Sequence, residues 1–113
     1  MGRMDIEAAR TTTLAHFVAE EYDHFGRIAY RIPPKKAGGK PGRTFLTLWP
    51  DTGYAVLMLD ADLQAGLLDH PSGAFGPHPS KWGAKGATIM LLEKVNVKIF
   101  HEAVGIAHAH AKR

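Results

Sequence analysis

The chain contains no cysteine. Disulfide staples, thiol nucleophiles and cysteine-bound zinc are therefore excluded together, and the composition fits a reducing, cytoplasmic setting. Long apolar runs are missing as well. The longest uninterrupted one, residues 55–59, is far short of the roughly 20 residues that cross a bilayer as a helix. The opening MGRMDIEAAR carries an acid and no apolar centre, so it does not read as a signal peptide. A further absence is local: residues 27–43 include no acidic side chain, while six basic ones gather there, Arg27, Arg31, Lys35, Lys36, Lys40 and Arg43.

What is present describes an ordinary globular chain. Its 113 residues are one domain's worth, spanning 1–113, and 45% of them are hydrophobic, enough for one core without covalent staples. Formal net charge is +3, and the 27–43 segment alone holds +6, which leaves −3 for the rest. The basic character is thus concentrated, and concentrated charge is the better footprint of an anionic partner.

Hydrophobic periodicity divides the chain into short elements. Residues 4–14 favour helix, although Thr11, Thr12 and Thr13 weaken it; residues 17–22 either extend it or begin a strand. Residues 27–32 alternate, which predicts a strand with Ile28, Tyr30 and Ile32 inward and Arg27, Ala29 and Arg31 toward water. Pro33-Pro34, Gly38-Gly39 and Pro41-Gly42 then form an exposed, mobile arm, and residues 44–49 make the next strand. After the turn at 50–53, residues 54–59 form a nearly continuous apolar strand, expected to lie centrally. Asp60 caps a short helix carrying Leu63, Leu67 and Leu68. Residues 73–86 read as a Gly/Pro-rich loop with room for one short strand, and residues 87–92 as the last strand. Asn96 caps a final helix whose apolar stripe is Phe100, Ala103, Val104 and Ala107. Strands in a run, with helices toward the ends, predict an α+β two-layer sandwich: an antiparallel sheet with helices packed on one face.

Several stretches resemble the YjbR/MmcQ-like family of small bacterial proteins. They are TFLTLWPDTGYAVLML, DADLQAGLLDHPSGAF, PHPSKWGAKGATIMLL, the final helix ending AKR, and Asp23-His24-Phe25-Gly26 before the alternating strand. The similarity covers about residues 17–113, and its most specific part is the Trp82-Gly83 loop leading into Ala87. The arm at 33–42 is longer than the turn usual in that family. The resemblance implies a CyaY-like or secretion-chaperone-like α+β fold. It also implies DNA binding, a description often attached to the family, and it brings no catalytic residues.

The residues themselves support the same expectation. Lys35, Lys36 and Lys40 on the arm, Arg27, Arg31 and Arg43 at its flanks, and Lys81 and Lys85 around Trp82 form the candidate DNA-contacting set; lysines on turns suit phosphates, which need charge more than fixed geometry. Engagement of all six arm-region charges predicts a log K against log salt slope of about −5. The bland reading of the arm is a solvated turn. Trp82 either stacks on a base or anchors its loop to the core, and its large apolar area favours anchoring. The alternative function is a protein-interaction module that receives a partner on an open sheet face or edge. Seven histidines do not converge on a metal pattern by spacing. The carboxylates and His24 at 20–24 point to alternate sides of an extended chain. Ser72 and Ser80 lack a nucleophile elbow, and neither Gly38-Gly39 nor Gly83-x-x-Gly86 has a phosphate-loop context. No enzyme activity and no cofactor are expected.

Overall fold

A computed structural model describes residues 3–113; Met1 and Gly2, which open the segment read as no signal peptide, lie outside the described residues. The elements run α1 (Ile6–His16), β1 (Glu20–His24), β2 (Arg27–Arg31), β3 (Thr44–Trp49), β4 (Tyr54–Met58), α2 (Ala61–Leu68), β5 (Phe75–Pro77), α3 (Lys81–Ala84), β6 (Ala87–Leu91) and α4 (Val97–Ala111), with a 3₁₀ turn at Leu92–Lys94. The six strands form one antiparallel sheet in the order β1-β2-β3-β4-β6-β5. The fold is therefore α+β, with helices packed against the sheet.

Strand register sorts the side chains into two sets, because neighbours in a pleated strand point to opposite faces. Cross-strand pairing places Ile28, Tyr30, Leu46, Leu48, Ala55, Leu57 and Met90 on one face. They join Phe100, Ala103, Val104 and Ala107 of α4 in the main core. A bulge between Tyr30 and Arg31 adds Phe45 to the same side; its ring meets Phe17 and His108. Asp5, Asp60 and Asn96 cap α1, α2 and α4 by accepting from Ala8, Leu63 and Ile99 backbone N–H groups. Thr13 does not break α1, because its hydroxyl donates to the Ala9 carbonyl one turn back.

Four expectations are settled or changed. Of the two readings for residues 17–22 the strand stands, as β1, which completes a four-strand meander. The 73–86 loop holds both a short strand and a turn of helix. Ala29 does not face water but is fully buried, and Arg27 and Arg31 beside it are half-buried. The arm is not a free extension. Ile32 N–H donates to the Arg43 carbonyl, Gly42 N–H to the Ile32 carbonyl and Gly39 N–H to the Lys36 carbonyl, which closes it into a shaped loop.

One polar triad ties α1 to the sheet. Arg10 donates twice to the Glu21 carboxylate, Nε at 2.8 Å and Nη2 at 3.0 Å, and the buried Tyr30 hydroxyl donates to the same group at 2.6 Å. The hydrogen bond from Arg10 holds Glu21 below the ordinary glutamate range, against partial burial and with help from Tyr30. Burial, followed by that bond to Glu21, pushes the Tyr30 phenol up. Since the folded-state pKa of Glu21 is depressed, its stabilising contribution is complete above the unfolded value of about 4.3 and is lost as pH falls through the folded value. The urea midpoint should therefore drop between about pH 6 and about pH 3, and Glu21→Gln should show a smaller drop. An equal drop in both proteins would remove Glu21 from the acid response.

Candidate nucleic-acid interface

Helices α1 and α4 cover one face of the sheet, so the other face has to bury its apolar residues by different means. Register puts Tyr22, Ala29, Thr47, Trp49, Tyr54, Val56, Met58, Ala87 and Ile89 on that second face. Ala29, Thr47, Val56 and Ala87 are buried, yet they stand outside the helix-side core. Their cover is a layer of side chains. The Trp49 indole leans back along its own strand and its Nε1–H donates to the Thr47 hydroxyl at 2.9 Å. The Arg27 guanidinium stacks on that indole, 3.5 Å from the ring centroid, and the Tyr54 and His78 rings abut it at 5.3 and 5.4 Å.

Arg27, Thr47, Trp49 and His78 help wall an apolar trough of about 500 Å³, within the roughly 300–1,000 Å³ range of ligand clefts. Two of its walls are exposed rings. Phe25 is 85% exposed at the tip of the β1–β2 hairpin. Both tip residues have positive φ, 54° at Phe25 and 86° at Gly26, as a type I′ hairpin turn requires. A bulky residue in the left-handed region is an outlier. The other ring, Trp82, is 52% exposed. The expectation that it anchors its loop to the core is therefore wrong: the loop is anchored by something else.

That anchor is Gln64, a buried side chain of α2. Its amide nitrogen donates to the Gly83 carbonyl at 2.9 Å and the Ala87 carbonyl at 3.0 Å, fastening α3 and the start of β6. Gly83 allows close approach, since a Cβ there would lie 1.8 Å from the His78 carbonyl oxygen. With its loop fixed, Trp82 has no duty in the core and stands at the trough rim. Lys85 and Lys81 hold their ammonium groups 5.0 and 5.8 Å from its ring.

The nine residues expected to contact DNA separate into four groups. Arg27 and Trp82 line the trough, with Lys81 and Lys85 beside the Trp82 ring. Arg31 lies on the same face, but its Nε donates to Glu20 at 2.6 Å and its guanidinium sits over Tyr22, so its charge is already matched. Lys35, Lys36 and Lys40 turn elsewhere, lining a separate basin with Lys112 and Arg113 at the end of α4. Arg43 is exposed at the arm's base. Sequence reasoning missed Phe25, Trp49 and His78. The Phe25-Gly26 dipeptide was the available signal for the first, as a tight turn with an unusual occupant.

Arg27 carries one further mark. Its Nε is buried and has no hydrogen-bond partner, a state that most buried donors avoid. Three of the histidines are occupied locally: His70 and His78 bond Ser72 and Ser80, and His108 meets the Val18 carbonyl. Among the described residues, no three His, Asp or Glu side chains gather as a metal site, and no helix is long and apolar enough to cross a membrane. Comparison with family models, with curated proteins and with solved structures found no match.

Two substitutions test how the trough is built. Phe25→Asn suits the left-handed turn and should raise stability by about 1 kcal/mol in chemical denaturation; a loss would show that Phe25 is held by packing rather than strained. Gly83→Ala forces a methyl group against backbone and should cost about 1–3 kcal/mol. Tryptophan fluorescence should also report a displaced Trp82, and an unchanged melt and spectrum would contradict the close approach.

Proposed function

We propose that this protein binds DNA, and that it takes an unpaired strand across the open face of its sheet. The observation that carries the reading is the arrangement on that face: exposed or half-exposed rings of Phe25, Trp49 and Trp82 around one trough, interleaved with Arg27, Lys81 and Lys85. Unpaired bases stack on aromatic rings whatever their sequence, while nearby cations take the phosphates. The resemblance to the YjbR/MmcQ-like family, in which the Trp82 loop is the most specific stretch, supports the same reading. An unpaired strand fits better than a duplex, because a trough this narrow receives planar groups edge-on or stacked, and no helix is offered to a groove.

Arg27 then has a specific part. Stacked on Trp49, its guanidinium lines the trough, where its terminal N–H groups can donate to an acceptor on a base or sugar that enters. This gives the strand one directional contact among several that depend only on stacking and charge.

A protein partner is the competing reading, favoured by the apolar character of the trough and by Phe25. Salt separates the two. Phosphate contacts by Arg27, Lys81 and Lys85 on a single strand predict a log K against log salt slope of roughly −2, whereas a hydrophobic protein contact survives high salt. Fluorescence titration with oligo-dT should show quenching of tryptophan emission. Trp82→Ala should weaken binding by about five- to 150-fold, the equivalent of roughly 1–3 kcal/mol for a lost stacking platform. Absence of binding at low salt, or equal binding by the variant, would defeat the proposal.

A further inference from the structure

The arm is the most basic part of the chain, and the open face leaves it unused. Its cations nevertheless converge. Lys35, Lys36 and Lys40 line a basin of about 450 Å³ together with Lys112 and Arg113, and no acidic side chain lines it. Among the described residues only two ion pairs form, Arg10–Glu21 and Arg31–Glu20, and neither involves a basin residue. The C-terminal dipole of α4 offsets about half a charge at most, against five positive side chains.

The basin is also shaped in advance. The hydrogen bonds that close the arm hold its two sides together, and its glycines are placed where the backbone crowds. A Cβ on Gly42 would meet the Ile32 Cβ at 2.8 Å, and one on Gly39 the Lys36 carbonyl oxygen at 2.9 Å. Pro33 and Pro41 remove further freedom at the loop's ends. A concavity lined by five basic side chains, three from the arm and two from the end of α4, and by no acidic side chain gains most from a compact anion of high valence.

We infer that the basin between the arm and the end of α4 is a binding site for vicinal phosphate groups. Lysine ammonium groups act as movable point charges that suit phosphate oxygens at varied angles, and Arg113 adds a planar fork. A single phosphate carries about two charges at most against five cations, whereas a chain of three carries enough to match most of them. No acidic side chain lines the basin to hold a metal ion with the phosphates, so its basic side chains supply the neutralising charge. The inference does not rest on the open-face reading, because it uses different residues beside the helix layer. The phosphates come either from a free polyphosphate or nucleotide tail or from the backbone of a bound strand.

Calorimetric titration of the full chain with sodium tripolyphosphate, at constant ionic strength, tests it. The wild type should bind saturably with one site, orthophosphate at least tenfold more weakly. The combined variant Lys35→Ser, Lys36→Ser, Lys40→Ser should lose at least tenfold in affinity while melting like the wild type, since all three side chains are exposed; Lys112→Ser provides the same test from the other wall. Trp82→Ala should bind tripolyphosphate normally. Displacement of tripolyphosphate by oligo-dT would identify the strand backbone as the source, and simultaneous binding would identify a free polyphosphate. No saturable binding by the wild type, or undiminished binding by both the arm and Lys112 variants, would overturn the inference. Loss of oligo-dT binding with tripolyphosphate binding intact would count against the open-face proposal alone.

Discussion

A sheet has two apolar faces to keep from water, and in this chain α1 and α4 pack on only one of them. The second face is closed by side chains of the sheet itself, above all by the Trp49 indole laid back over Thr47 with Arg27 stacked upon it. A stack of this kind is a partial cover. It buries Ala29 and Val56 completely or nearly so but leaves ring faces and a guanidinium edge at the surface. The trough follows from that constraint: it is the space that a layer one side chain thick cannot fill.

Rigidity around the trough is supplied from beneath. Gln64 reaches from α2 to two carbonyls, one in α3 and one at the start of β6, and Gly83 and Gly86 let this segment approach the backbone of His78 and Leu59. Trp82 is thereby fixed in place without being buried, which is the condition for a stacking surface that loses little freedom on binding. On the opposite rim the hairpin places Phe25 in a backbone conformation that its side chain disfavours. Conformations of this kind persist where the surroundings determine them, and they gather at sites that bind or react.

The elements legible in the sequence were those whose burial has a period. The alternation of Ile28 and Tyr30, the stripe of Phe100, Ala103, Val104 and Ala107, and the caps Asp60 and Asn96 all report local geometry, and they stand as expected. Strand β1 was legible only as one of two readings for residues 17–22, because Glu20, Glu21, Tyr22, Asp23 and His24 show no apolar period; their partners are distant, Arg31 on β2 for Glu20 and Arg10 on α1 for Glu21. The same hidden strand explains why the basic run was misjudged as one unit. Without β1, Arg31 looks free; with it, the arginine is paired. Trp82 was misplaced for a related reason. Tryptophan usually supplies core area, and nothing near it in sequence announces that Gln64, nineteen residues before Gly83, already holds its loop.

The account's central claim is that a bound strand lies on the face the helices leave open. Amide and indole chemical shifts of ¹⁵N-labelled protein, followed during titration with oligo-dT, test this most directly. The account predicts that the largest changes fall on the indole N–H signals of Trp49 and Trp82, the Arg27 Nε–H and the amides of the Phe25-Gly26 turn, with α1 and the middle of α4 undisturbed. Changes confined to the helix layer, or spread evenly with the two indole signals unmoved, would contradict it.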